Sequence, residues 1–89
     1  MILIVYGTRP EAIKLVILYK MMKSAGMEVK ACFTGQHKDL VGPIHNLFEV
    51  APDISFSPEG STLTERSASI MVQMERVIQE HKPDWVVTQ

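Results

Sequence analysis

The sequence predicts an α/β fold built on a parallel sheet with flanking helices. Three observations predict it. Runs of apolar and β-branched residues alternate with longer segments of helical periodicity. The first two apolar runs stop at glycines, Gly7 and Gly35, where a chain can turn sharply into a crossover. The opening run is continuously apolar rather than alternating, as expected of a strand covered on both faces.

Ile2 to Tyr6 is the first expected strand. A helix follows from about Arg9 to Ala25, carried by Ala12, Leu15, Val16, Tyr19 and Met22. Gly26 suits its end, and Lys20 and Lys23 lie where the helix dipole favours cations. Val29 to Thr34 is the second strand. A shorter helix is expected from about Lys38 to Phe48, with Pro43 acting against its first turns. Ile54 to Phe56 has room for one short strand. The second long helix spans Thr62 to His81, with Thr62 and Glu65 at capping-box spacing. Its apolar stripe is Leu63, Ile70, Met71, Met74, Val77 and Ile78, in which Met71 and Met74 read as core. His81 reads as a partner of the helix dipole. Pro83 ends the helix, and Trp85 to Thr88 reads as another buried strand.

Strands joined in this way imply right-handed crossovers within one parallel sheet. No helix follows the last strand to cover it, so residues 1–89 are expected to be a fragment. The alternative is a bare edge strand, which domains usually avoid.

Composition narrows the function classes. Hydrophobic residues make up 46% and charged residues 21%, as in ordinary globular domains rather than disordered ones. A net charge of −1 argues against a nucleic-acid binder. The charge is uneven: residues 1–38 carry six basic and two acidic side chains, the remainder three and eight. The first part therefore suits an anionic ligand better than the second. Cys32 is the single cysteine, so no internal disulfide can form, which fits a reducing cytoplasmic setting. It lies in an apolar run and reads as a buried small side chain. No stretch approaches the length of a membrane span, and no basic segment precedes the opening apolar run as in a signal peptide.

The sharpest local feature is Gly7-Thr8-Arg9-Pro10-Glu11-Ala12-Ile13-Lys14, where the first strand turns into the first helix. Gly7 permits a tight turn and close approach of a ligand. Thr8 and Glu11 have capping-box spacing, and Pro10 suits a first turn whose N–H has no intrahelical partner. Arg9 offers a planar fork of donors, Lys14 a second cation, and the helix start a partial positive charge. Two readings stand side by side: a phosphate cradle, or a well-capped helix with an exposed arginine. Position favours the first, because ligands of open α/β sheets bind where the strand order reverses. Gln36 and His37 follow the second strand toward the same rim. They read either as groups that recognise a sugar or base, or as a helix-capping turn.

Other chemistry is excluded. Gly7 stands alone, without a Gly-x-Gly-x-x-Gly fingerprint, and there is no Walker A loop. The second strand ends in Thr34-Gly35-Gln36 rather than in a ribose-binding Asp or Glu. His37, His45 and His81 lack metal-ligand spacing with Cys32 or with each other, so no metal and no cofactor are expected.

The Gly7 to Lys14 stretch, with Thr34-Gly35-Gln36-His37 after it, resembles the non-hydrolysing UDP-N-acetylglucosamine 2-epimerases. Leu63-Thr64-Glu65 and Lys82-Pro83-Asp84-Trp85-Val86-Val87 continue the match in order. The resemblance implies a parallel Rossmann-like sheet with flanking helices. It implies that residues 1–89 are a truncated N-terminal Rossmann-like domain, about the first four β/α units, of a GT-B-like two-domain enzyme. It implies an isomerase that inverts carbon 2 of UDP-N-acetylglucosamine to give UDP-N-acetylmannosamine, by loss and re-addition of UDP, for cell-surface polysaccharide synthesis. Arg9 and Lys14, with Gly7 and Thr8, fall at substrate-binding positions. Gln36 and His37 fall in a loop that in bacterial members helps bind a second, activating, allosteric UDP-N-acetylglucosamine. The full-length protein is expected to be a cytoplasmic homodimer with no membrane or nucleic-acid partner.

There are departures from the family pattern. Leu15-Val16-Ile17 replaces a common Met-Ala-Pro, Asp39 replaces a common Gln or Glu, and Ser69 stands where the activating site has an Arg. The family's catalytic carboxylates find no counterpart in these residues, so no catalytic residue is assigned and the 89-residue chain alone is expected to be inactive. Two other readings are a nucleotide-phosphate-binding module without catalysis and a fragment of a GT-B glycosyltransferase.

Overall fold

Alternation along the first strand sorts the molecule into two layers around a sheet. A computed structural model describes all 89 residues. In β1 (Ile2–Tyr6), Ile4 and Tyr6 face one side and Leu3 the other, and all three are buried. β1 is followed by α1 (Arg9–Ser24), β2 (Val29–Phe33), α2 (Lys38–Leu47), β3 (Ile54–Ser55), α3 (Leu63–His81) and β4 (Trp85–Val87). The four strands form one parallel sheet in the order β3-β2-β1-β4. Ile2 pairs with Val29 on one side and with Trp85 on the other.

The chain takes two steps outward, from β1 to β2 to β3, then returns past both to place β4 beside β1. With crossovers of one hand, the outward helices lie on one face and the returning helix on the opposite face. The core follows this division. Ile4, Tyr6, Ala31 and Phe33 pack with Ala12, Leu15, Val16 and Tyr19 of α1 and Val41 and Ile44 of α2. On the other face Leu3 and Cys32 pack with Phe56 and with Val77 of α3.

Each helix has a local reason to stand where it does. In α1 the buried positions are Ala12, Leu15, Val16 and Tyr19, a stripe at helical spacing. Its end passes through Ala25 to Gly26, whose φ of +79° is one a glycine adopts without strain. α2 runs unbroken through Pro43. The preceding residue is Gly42, which has no Cβ to meet the proline ring, so the usual penalty before proline is reduced. In α3 the capping box forms as the spacing predicts: the Glu65 N–H donates to Thr62 Oγ1 at 3.1 Å, and the Thr62 N–H donates to Glu65 Oε1 at 3.2 Å.

Two expectations need correction. Only Val77 of the α3 stripe is buried, while Met71 is 73% and Leu63 81% exposed. The stripe is wider than the strip of sheet beneath it, and no second helix flanks α3 on this face. Met74 does pack partly against the small cluster, whereas Met71 does not. Trp85 to Val87 is likewise not a buried strand. Trp85 is 71% exposed, because β4 pairs only with β1 and no helix lies over it.

A half-buried polar pair borders the larger core. The Tyr6 hydroxyl and His45 Nε2 share a hydrogen bond at 2.7 Å. Tyr6 also stacks on Phe33, and both rings contact the His45 ring. Burial holds the imidazole below its ordinary pKa of 6.5. The unfolded chain therefore binds a proton at His45 more readily than the folded one, and stability must fall as the pH drops through the ordinary histidine range. Urea unfolding at about pH 8 and about pH 5.5 checks this. The midpoint falls on acidification, and His45→Gln reduces that fall; an identical fall in the variant refutes it. Glu11 and Glu65, whose carboxyls lie below the ordinary range, add their own loss only at more acid pH.

Candidate functional site

The carboxyl edge of the sheet collects the residues singled out by their chemistry. β1 ends at Tyr6 and leads into the turn Gly7-Thr8, and β2 ends at Phe33 and leads into Thr34 to His37. Because β1 lies between β2 and β4, the connections on its two sides leave toward opposite faces. In open α/β sheets, ligands bind at the strand ends beside such a reversal.

The turn at Gly7 is held from inside. The N–H groups of Gly7 and Thr8 both donate to Glu11 Oε1, at 2.9 and 3.1 Å. Partial burial raises the Glu11 carboxyl, but the hydrogen bonds from Thr8 and Gly7 outweigh it and leave the group below its ordinary pKa. Gly7 is pressed against the second loop: a Cβ there would overlap Gln36 Oε1 and Thr34 Oγ1. The Thr34 hydroxyl donates to that same Gln36 oxygen at 3.2 Å. Gly7, Thr8, Glu11, Thr34 and Gln36 thus form one cluster.

The two candidate cations are not brought together. Arg9 and Lys14 are exposed and make no ion pair. They are five residues apart on α1 and leave it about 140° apart. Both remain free to meet an anion, from different sides of the helix start.

The adjacent residues Gln36 and His37 are separated as well. Gln36 faces the Gly7 turn, whereas His37 lines a shallow crevice of about 340 Å³ with Gly35, Lys38, Asp39, Ser57, Pro58 and Arg66. His37 is the N-cap residue of α2, but its side chain caps nothing, and its φ of +49° is costly for a residue with a Cβ. Strain of this kind, kept at a strand end, is common where a side chain must be held in a particular direction. Lys38 Nζ donates to Ser57 Oγ at 3.1 Å across this crevice. Ser69 lies elsewhere: its hydroxyl accepts the N–H of Glu59 at 3.0 Å.

Arg66 escaped the sequence reading. One signal could have found it. It stands just after the Thr62–Glu65 capping box, at the helix start where the dipole disfavours a cation. A residue placed against that field invites a search for an anionic partner. No group of three or more His, Cys, Asp or Glu side chains is placed to hold a metal ion. No helix is long and apolar enough to cross a membrane.

The sheet order, reversing between β1 and β4 with helices on both faces, defines the class: a doubly wound α/β domain. A family model described as UDP-N-acetylglucosamine 2-epimerase matches residues 20–89, and the chain belongs to that family. The matched span begins after the Gly7 to Lys14 turn. The UDP-N-acetylglucosamine 2-epimerase of Campylobacter jejuni is 37% identical over 89 residues, a match covering 97% of this chain and 23% of that one. The crystal structure of the Neisseria meningitidis enzyme bound to UDP-GlcNAc superposes with a TM-score of 0.80 at 31% identity, over 96% of this chain and 24% of that one. The S. aureus MnaA–UDP co-structure superposes with a TM-score of 0.85 at 35% identity, over 96% and 23%. The chain spans about a quarter of the length of the relatives it matches.

Proposed function

We propose that residues 1–89 are the N-terminal, Rossmann-like part of a GT-B-like two-domain enzyme that interconverts UDP-N-acetylglucosamine and UDP-N-acetylmannosamine. The observation that carries this reading is the β1–α1 turn, standing with an unpaired Arg9 at the reversal point of the sheet. Membership of the epimerase family supports the substrate. In the proposed reaction a base removes the proton from carbon 2 while the bond from carbon 1 to the diphosphate oxygen breaks. UDP leaves, and its re-addition with proton return to the other face gives the epimer. Arg9 and Lys14 would hold the diphosphate, whose negative charge grows as the bond breaks. Gly7 and Thr8 would shape the turn beneath it.

The acid and base groups for the carbon 2 step are not assigned to this chain, which we expect to bind UDP without epimerising it. The crevice at His37, Lys38 and Arg66, with Gln36 at its margin, is the proposed place of a second, regulatory nucleotide sugar. Its three basic groups against the single Asp39 suit an anion. For the whole protein we propose a homodimer, to which the exposed apolar side chains of α3 offer a surface. We propose the cytoplasm as its compartment, in keeping with a single, buried, unpaired Cys32.

A titration of the 89-residue chain with UDP, followed by amide NMR, tests the binding step. Resonances from Gly7 to Lys14 are expected to move, and Arg9→Ala to weaken binding about tenfold or more. No movement at millimolar UDP would overturn the reading.

A further inference from the structure

We propose that Glu11 is a positioning residue of the substrate-binding turn: its carboxylate clamps the turn's main chain so that the diphosphate is met by the Arg9 side chain rather than by the turn's backbone. The proposal rests on the functional reading above and deepens it.

The start of a helix ordinarily offers its free N–H groups to an anion. Here the two donors of the turn itself are already committed. The Gly7 and Thr8 N–H groups both point at Glu11 Oε1. Pro10 has no N–H, and the Ala12 N–H closes the first helical turn on the Thr8 carbonyl at 2.9 Å. A phosphate placed on Gly7 and Thr8 would displace Glu11 or lie against an ionised carboxylate, and like charges at that range repel. Glu11 also offsets the positive end of the α1 dipole from within.

The clamp has a second consequence. Gly7 and Thr8 are the two residues before Arg9, and their direction decides where Arg9 leaves the chain. One side of this turn is fixed by Glu11 and the other by the Thr34–Gln36 pair packed on Gly7. The guanidinium therefore projects from a braced base, and less of its freedom is lost when it takes hold of a diphosphate.

The sign of one substitution separates this role from its opposite. Were the turn amides the phosphate ligands, Glu11→Ala would free them and tighten UDP binding. As a positioning residue, Glu11 is required: Glu11→Ala weakens UDP binding about tenfold. Glu11→Gln keeps an oxygen acceptor and restores binding to within about twofold of the parent chain. Amide hydrogen exchange without UDP reports the clamp directly. Gly7 and Thr8 should be protected in the parent and in Glu11→Gln, and should exchange freely in Glu11→Ala. Equal or tighter UDP binding by Glu11→Ala overturns the proposal, as does free exchange of both amides in the parent. Should the parent fail to bind UDP while its amides are protected, the clamp stands as a structural device, and its role in binding falls with the functional reading.

Discussion

Replacing Gly35 by alanine should destabilise the chain by about 3 kcal/mol. Two costs combine. Gly35 has a φ of +85°, in the left-handed region that residues with a Cβ avoid. Its added methyl would also overlap the main-chain carbonyl of Phe56, which cannot swing aside as a side chain can. Phe56 is tied by its own N–H to the Phe33 carbonyl at 2.9 Å, so a shift there disturbs the β2–β3 edge. Gly26→Ala is the matched control. Its φ of +79° is similar, but nothing lies within 4 Å of the new methyl. It should cost only the backbone part, about 1 kcal/mol. Urea midpoints for the two variants give the comparison, and equal losses would show that the Phe56 contact contributes nothing.

Loss of the Asp53 carboxylate should cost about 2 kcal/mol. This residue stands just before β3, where the strand is too short to pair with all of β2. Its Oδ2 supplies the missing acceptor, receiving the Ala31 N–H at 2.8 Å and the Tyr19 hydroxyl at 3.0 Å. One oxygen thereby joins α1 to the sheet and finishes the ladder. Asp53→Ala leaves two donors on buried residues without a partner. Asp53→Asn can present its amide oxygen to the same donors and should lose about half as much. If the two variants unfold at the same urea concentration, the acceptor oxygen is not what matters.

The elements were legible because periodicity and punctuation agreed. The Ile2–Tyr6 run, the glycines that close the first two strands and the Thr62–Glu65 box each point to what the structure contains. The pairing of β1 with β4 is marked by no residue of either strand. What failed was burial. The α3 stripe and Trp85 are apolar in sequence whether or not anything covers them, and a periodic pattern records the preference of a face, not the presence of a neighbour. At the site, the turn from Gly7 to Glu11 was readable from capping chemistry. The division of Gln36 from His37 was not, because it depends on His37 itself taking a left-handed φ of +49°. Arg66 joins His37 from about thirty residues away, a contact made only by the packing of α3.

The unequal cores on the two faces of the sheet also set the order in which the molecule comes apart. α1 and α2 are seated on twelve buried residues, whereas α3 is held by a cluster of four. The smaller cluster is the cheaper one to open, so α3 peels away in excursions that leave the rest of the sheet intact. Arg66 leaves with it. The crevice beside His37 is therefore complete only for the fraction of time that α3 is docked, and the affinity of the regulatory anion site proposed there is scaled by that occupancy.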